Sequence, residues 1–212
     1  MLPIINPVGV APMYLSLLGP VDQPTNRGVA QRVALNAALM LLGAMFVGSQ
    51  VLSFFGISLP IVRVGGGLLV PAAAWKLLND PQADQVKEAV GQTERSSHEL
   101  LHNSFFPLTF PFTVGPGSLS AAITLGATMS FQGPVNIAGS TAMVAGVALT
   151  AAVIYLSYRF APQLVERLGS VGTVVLLRFS AFILLCVGVQ IVWDGAAALI
   201  VELTGKIAQA RG

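Results

Sequence analysis

The residues with the most specific chemical pattern in this sequence are His98 and His102, which with Glu99 between them form an H-E-x-x-H motif. On a helix this spacing places two imidazoles on one face, where they bind zinc while the glutamate acts as general base. A catalytic zinc needs three protein ligands, and the chain has only two histidines. Asp194 is the remaining candidate, but it follows the last apolar run, which places it on the opposite side of a bilayer about 30 Å thick. We therefore predict no catalytic residue and no metal site, and an intramembrane zinc protease is a remote alternative.

Two arginines, Arg63 and Arg178, lie inside apolar runs. A charge within a membrane span is costly, so both are candidates to hold a substrate carboxylate in a bidentate fork. Each lies only about two turns from the end of its run, where arginine side chains also extend to lipid headgroups, and we favour that interpretation or a bond to a carbonyl of a neighbouring helix. No Asp or Glu lies in the middle of any run, which argues against a carboxylate proton relay. We expect no cofactor, and both coupling to Na⁺ through carbonyl and hydroxyl oxygens and uncoupled passage stay open.

Proline and glycine cluster in two segments, at residues 6–12 and 107–117. Proline lacks an amide hydrogen and clashes with the preceding turn, so neither segment fits a straight helix. In lipid, the backbone groups freed at such breaks persist only where protein buries them or where they line a cavity, and transporters place binding sites there. Half-helix N–H groups attract anions, and we expect such an N-terminus at Gly115, Gly117 and Ser118, before a helical stretch at 119–127. The alternative is architectural, with kinks and glycines that let helices pack closely.

Low charge indicates the class of protein in which these segments lie. Only 9% of the 212 residues are charged, 54% are hydrophobic, and the mean hydropathy is +0.77. A soluble domain of this length cannot bury so much apolar surface, because much of a small sphere stays wet. Low polarity excludes a disordered chain, the lack of a basic stripe excludes a nucleic-acid partner, and the single Cys186 excludes a disulfide framework. We predict an all-α integral membrane protein whose first partner is the lipid bilayer.

Apolar runs of about 20 residues, the length that crosses a bilayer, give the predicted topology. They cover residues 35–55, 57–78, 105–128, 137–158 and 171–193, and a shorter proline-broken run at 1–18 brings the total to roughly six crossings. Six of the eleven Lys and Arg lie in residues 21–32, 79–103 and 159–170, whereas the connecting stretches on the other side, 56–60 and 130–136, have none and the C-terminal tail has only Lys206 and Arg211. The positive-inside rule places these stretches in the cytoplasm and both termini outside.

The hydrophilic cytoplasmic loop at 79–104 separates a first three-span unit, 1–78, from a second, 105–212. Val8-Gly9 among prolines has a counterpart in Val114-Gly115, and Arg63 in the third span of the first unit has a counterpart in Arg178. Because three is an odd number of spans, the second unit enters the membrane upside down. We therefore predict two inverted three-helix repeats, each with a broken first helix, which is an arrangement typical of secondary transporters.

The segment from Pro107 to Gly117 resembles the Pro-Leu-x-x-Pro-x-x-x-Gly-Pro-Gly signature of the MarC family. The Asn6-Pro7 pair, the stretch at 55–67 and the last span at 184–190 also fit this family, so the resemblance covers nearly the whole chain. It implies a six-span bacterial or archaeal inner-membrane protein, distantly similar to LysE-type amino-acid exporters, and implies no drug efflux. The transport role that it implies is for neutral amino acids or similar small solutes.

The function we expect is therefore transport of a small polar molecule, most simply an amino acid, by a protein that is not an enzyme. A membrane scaffold or sensor without transport activity is the alternative. The predicted substrate-binding residues are Asn6, Pro7, Gly9, Arg63, Thr113, Gly115, Pro116, Gly117, Ser118 and Arg178.

Overall fold

The computed structural model describes residues 1–19, 21–79, 104–130 and 137–211, and in these ranges the chain is almost entirely helical, without a strand. In chain order the helices are α1 (Leu2–Ile5), α2 (Pro7–Leu18), α3 (Gln23–Phe54), α4 (Leu59–Asn79), α5 (Ser104–Thr113), α6 (Pro116–Ser130), α7 (Ile137–Arg159) and α8 (Ala161–Arg211). The all-α prediction is confirmed for this part of the chain. The H-E-x-x-H motif and residues 80–103 of the hydrophilic loop predicted at 79–104 lie outside it.

Three helices are long and apolar enough to cross a membrane: Gln23–Phe54, Gly139–Arg159 and Ala161–Ile207. The pair Ser104–Thr113 and Pro116–Thr128 is bent by 72° and makes a fourth span if it is counted as one. Within the described ranges the structure thus shows three to four candidate spans, where apolar content alone predicts roughly six. The difference arises in part because Leu2–Leu18 is too short to cross as a straight helix. The six-span inverted repeat is not confirmed.

Two stretches predicted as connecting loops are largely helical. Residues 21–32 belong to α3 from Gln23 onward, and residues 159–170 are helical from Ala161 to a break at Gly169, where φ is 64°. Positive φ favours glycine because a Cβ would clash there, so Gly169 allows the chain to turn before the apolar part of α8 begins. The hydropathy pattern located the apolar parts of these helices and missed their polar extensions, because α-helices continue beyond the hydrocarbon layer.

The helices pack around a buried cluster centred on α2, α3 and α7. Its largest fully buried side chains include Tyr14, Leu41, Ile154 and Tyr158. Helix α3 contacts α5, α6 and α7, helix α2 contacts α7 and α8, and the most extensive contact joins α4 to α8. Many large apolar side chains are exposed on the outer surface, among them Leu39, Val47, Phe54, Leu149, Val175 and Trp193. An exterior this apolar is what a lipid-facing surface requires.

Candidate functional site

The first helix break lies at Asn6, between α1 and α2. Its φ of 44° is left-handed, a conformation that asparagine adopts more readily than most residues, and Pro7 then begins α2 with a φ already suited to a helix. The backbone N–H of Asn6 donates to Leu2 O (2.8 Å), and its carbonyl accepts from Val10 N (3.1 Å). Its side-chain Nδ2 is buried and has no hydrogen-bond partner in the described part of the chain. A buried amide donor without an acceptor costs free energy unless a ligand or water supplies one.

Directly beside this break, α2 approaches α8 closely at Gly9. A Cβ built on Gly9 would collide with the side chain of Ser180 on α8 and with Asn6 Nδ2. Ser180 is 4% exposed, and Pro7 and Gly9 are also buried. Glycine is therefore required at this position by helix packing, and the packing brings a serine hydroxyl next to the unpaired amide.

The second break separates α5 from α6. Helix α5 is wound with i→i+5 hydrogen bonds and is interrupted by extended backbone at Phe106 and Phe110, with a cis peptide bond before Pro111. The hydroxyls of Thr109 and Thr113 donate to the carbonyls five residues earlier, at 2.7 and 2.6 Å, and Val114 N donates to Thr109 O at 2.8 Å. The hydroxyls and the Val114 amide therefore bond to main-chain carbonyls within the irregular winding of α5.

Helix α6 then begins at Pro116, three residues before the helical stretch predicted at 119–127, so Gly117 and Ser118 lie in its first turn. Leu119 N donates to Gly115 O (3.1 Å), and Ser118 Oγ donates to the same carbonyl (2.8 Å). The first amides of a helix have no partner within that helix, so the backbone N–H groups of Gly117 and Ser118 form its partly positive end. Gly117 also has a packing role, because a Cβ there would collide with Val70 on α4.

Helices of the two broken pairs contact each other. Helix α1 contacts α6, and α2 contacts α5. Helices α2 and α6 both begin with a proline at these breaks, and each packs against a different long helix, α8 and α4 respectively. Of the predicted site residues, the structure brings together Asn6, Pro7 and Gly9 in one group and Gly115, Pro116, Gly117 and Ser118 in another, with Thr113 at the end of α5.

The two arginines predicted as equivalent have different surroundings. Arg63 is partly buried, its Nε donates to Thr124 Oγ1 on α6 (3.5 Å), and its Cβ lies against Gly195 of α8. Arg178 is exposed on α8. The structure therefore places Arg63 at a helix interface and Arg178 on the surface. Neither has a described contact with the residues at the two breaks.

A buried polar network that the sequence did not reveal connects the two broken helices. The rings of Tyr14 and Tyr158 stack with centroids 4.1 Å apart, and Tyr14 donates to Asn26 Oδ1 (3.0 Å). Asn26 Nδ2 donates to the carbonyls of Tyr158 and Arg159, each at 3.3 Å, at the end of α7. Thr113 Oγ1 and Tyr158 OH are 2.9 Å apart. Through these bonds α2, α3, α5 and α7 are held in one arrangement.

The residues missed by sequence reasoning are thus Tyr14, Asn26, Tyr158 and Ser180. A tyrosine in an apolar run and an asparagine near a helix start are common, and only the fold makes them neighbours. The Asp194 carboxylate, the proposed third zinc ligand, accepts from Gln190 Nε2 on its own helix (2.9 Å). In the described ranges no group of three His, Cys, Asp or Glu side chains is placed to hold a metal.

A family model described as MarC family integral membrane protein matches residues 1–200. The chain belongs to the MarC family. It is similar to the UPF0056 inner membrane protein MarC of Citrobacter koseri, with 28% identity over 94% of this chain and 92% of that protein. UPF0056 membrane proteins of Archaeoglobus fulgidus and Methanocaldococcus jannaschii are 27% and 26% identical over 94% and 91% of this chain, and over 90% of each relative. No solved structure matches it. The resemblance predicted from the Pro107–Gly117 signature is confirmed, and the names of these relatives state no catalytic activity.

Proposed function

We propose that this MarC family protein transports small polar solutes, with neutral amino acids as the leading substrate class. The observation that carries the proposal is the buried, unpaired amide of Asn6 at one helix break, in a fold where the helices of the two broken pairs contact each other. A substrate carboxylate supplies the acceptor that this amide lacks. The N-terminal N–H groups of α6 add partial positive charge at the second break.

An inverted repeat is part of the proposal, and the packing of the breaks supports it. In the first half α2 lies against α8 at Gly9 and Ser180, and in the second half α6 lies against α4 at Gly117 and Gly66. Exchanging α2 with α6 and α8 with α4 converts one contact into the other. Each first helix therefore packs on the last helix of the opposite half, as expected for halves related by a pseudo-two-fold axis.

The proposal also includes the membrane in which the protein lies and its orientation there. We place the protein in the inner membrane, as the name of the Citrobacter koseri relative states for that protein, with residues 79–104 in the cytoplasm and both termini outside. Coupling to Na⁺ through carbonyl and hydroxyl oxygens at the breaks is one mechanism, and uncoupled passage is the other. No acidic side chain in a predicted span is available for a proton relay.

The test is flux of labelled amino acids in proteoliposomes that contain the purified full chain. Asn6→Gly keeps access to positive φ and removes the side chain with its amide, so we expect the KM for transport to rise about tenfold or more, the effect of one lost hydrogen bond to a charged group. Gly115→Ala adds a methyl group whose nearest neighbour is Pro111 O at 3.2 Å, and we expect reduced flux. Gly146→Ala, which faces open space on α7, is the matched control.

Flux of none of the twenty amino acids in the wild-type protein would refute amino-acid transport and favour a membrane scaffold or sensor. Wild-type flux with an unchanged KM in Asn6→Gly and unchanged rates in Gly115→Ala would place the substrate elsewhere in the protein.

A further inference from the structure

Away from the helix breaks, two arginines on different helices converge on one tyrosine hydroxyl. Arg27 Nε on α3 and Arg159 Nη1 on α7 each donate to Tyr155 OH, both at 3.3 Å. The Arg159 guanidinium also lies over the rings of Tyr155 and Phe160, 5.8 and 5.2 Å from their centroids. These contacts hold two positive charges close together without a carboxylate between them.

The charge of this cluster, which comprises Arg27, Tyr155 and Arg159, is not neutralised by the described part of the chain. The ion pair that joins Lys206 to Glu202 on α8 involves neither arginine of the cluster. Asp22, the acidic residue nearest to Arg27 in the sequence, makes no ion pair with it, and the first turn of α3 contains no acidic residue. The N-terminal end of α3 adds partial positive charge near Arg27.

The cluster also has more hydrogen-bond donors than acceptors. A phenol oxygen that accepts two hydrogen bonds still has its own hydrogen to donate, and each guanidinium has further N–H groups. No acceptor for the Tyr155 hydroxyl hydrogen is found among the described residues. Three groups therefore present unused donors in one place, and an oxyanion with several acceptor oxygens is the ligand that fits.

The position of the cluster indicates the source of that oxyanion. Arg159 ends α7, and Arg27 lies in the second turn of α3, so both stand where helices with membrane-spanning composition reach the end of their apolar segments. Lipid phosphates lie at this level of a bilayer, and Phe160, 48% exposed, adds an apolar surface beside them. We propose that Arg27, Tyr155 and Arg159 form a binding site for a phosphate group, supplied by an anionic phospholipid. This inference does not depend on the transport proposal.

The test titrates the purified full chain, in a neutral detergent, with phosphatidylglycerol, phosphatidylcholine or inorganic phosphate. Binding is followed by native mass spectrometry and by the unfolding midpoint. We expect saturable binding of phosphatidylglycerol that is at least about tenfold weaker in the R27Q/R159Q double variant. Tyr155→Phe, which removes the hydroxyl and keeps both charges, is expected to weaken binding to a smaller extent. Arg167→Gln, a substitution of an exposed arginine on α8, is the control and leaves binding unchanged.

Inorganic phosphate that binds at similar concentrations, and loses binding in the double variant, would support the phosphate site and identify its source as the solution. Equal binding of phosphatidylglycerol by the wild type and by both variants would overturn the proposal. So would a weakening by Arg167→Gln that is about half that of the double variant in binding free energy, because attraction would then follow the number of charges removed. Should the double variant not purify, Tyr155→Phe against Arg167→Gln decides the matter alone.

Discussion

Two adjacent glycines of α4 allow the packing at the second break to be measured, because Gly66 is packed against α6 and Gly65 faces open space. A Cβ on Gly66 would collide with the side chain of Ser120 on α6 and would lie 3.4 Å from Pro116 O. Ser120 is 3% exposed, and its hydroxyl donates to Val62 O (2.8 Å), so it has no free space to move into. A Cβ on Gly65 has nothing within 4 Å.

The expected effect follows from comparing Gly66→Ala with Gly65→Ala. Both substitutions gain the same helix propensity, about 1 kcal/mol, so the difference between them isolates packing. Overpacking a close contact costs about 1–3 kcal/mol, because the α4–α6 interface must separate or Ser120 must give up its bond to Val62. For a chain of this size, a packing cost of about 1–3 kcal/mol lowers the unfolding midpoint of Gly66→Ala by about 2–12 °C relative to Gly65→Ala.

The assay is thermal unfolding of both purified variants in one detergent, at one scan rate, because irreversible unfolding makes midpoints depend on scan rate. Transport in proteoliposomes is measured beside it. We expect Gly65→Ala to retain wild-type flux and Gly66→Ala to lose part of it, since α6 begins at the break. Equal midpoints for the two variants would refute the close approach of α4 and α6, and with it the packing that positions Gly115 and Pro116.

Other predictions concern buried contacts of α3, α6 and α7 and use the same unfolding measurement. Asn26→Ala leaves the Tyr14 hydroxyl and the last carbonyls of α7 unpaired, and we expect a loss of about 2–4 kcal/mol; an unchanged midpoint would contradict the network. Tyr158→Phe removes one bond to Thr113, which keeps its bond to its own helix, so we expect only about 1 kcal/mol. Gly126→Ala drives a methyl group into the α3 main chain and should be more disruptive than Gly66→Ala.

Local features of the backbone could be predicted from the sequence, whereas contacts between residues distant in the chain could not. Proline disturbs a continuous helix, so irregular backbone near Pro7 and Pro116 was predictable, as was the helix that follows Gly115. The exact positions of the breaks were not predictable, because Pro12 and Pro71 lie inside α2 and α4. The residues that pack against the breaks were not predictable from the sequence. The contact of Gly9 with Ser180 and the bonds from Asn26 to the end of α7 join residues far apart in the chain. The six-span count stays a prediction, since apolar composition does not register whether a run is one continuous helix, and the described ranges show three to four candidate spans.

The two breaks differ in how their polar groups are satisfied, and this difference yields a last prediction. At the second break the hydroxyl of Thr109, fully buried, donates to Ser104 O, so the side chain serves the fold. At the first break Asn6 Nδ2 donates to nothing described, so its removal takes no bond from the fold. Thr109→Val is therefore expected to lower the free energy of unfolding by about 1–2 kcal/mol with little change in KM.

Asn6→Gly is expected to do the reverse, raising KM while the unfolding midpoint stays near that of the wild type. Measuring both quantities on both variants separates a group that supports a helix break from one that binds substrate. If Asn6→Gly instead lowers stability and leaves KM unchanged, the amide has a structural partner, and a carboxylate at the first break is the wrong ligand.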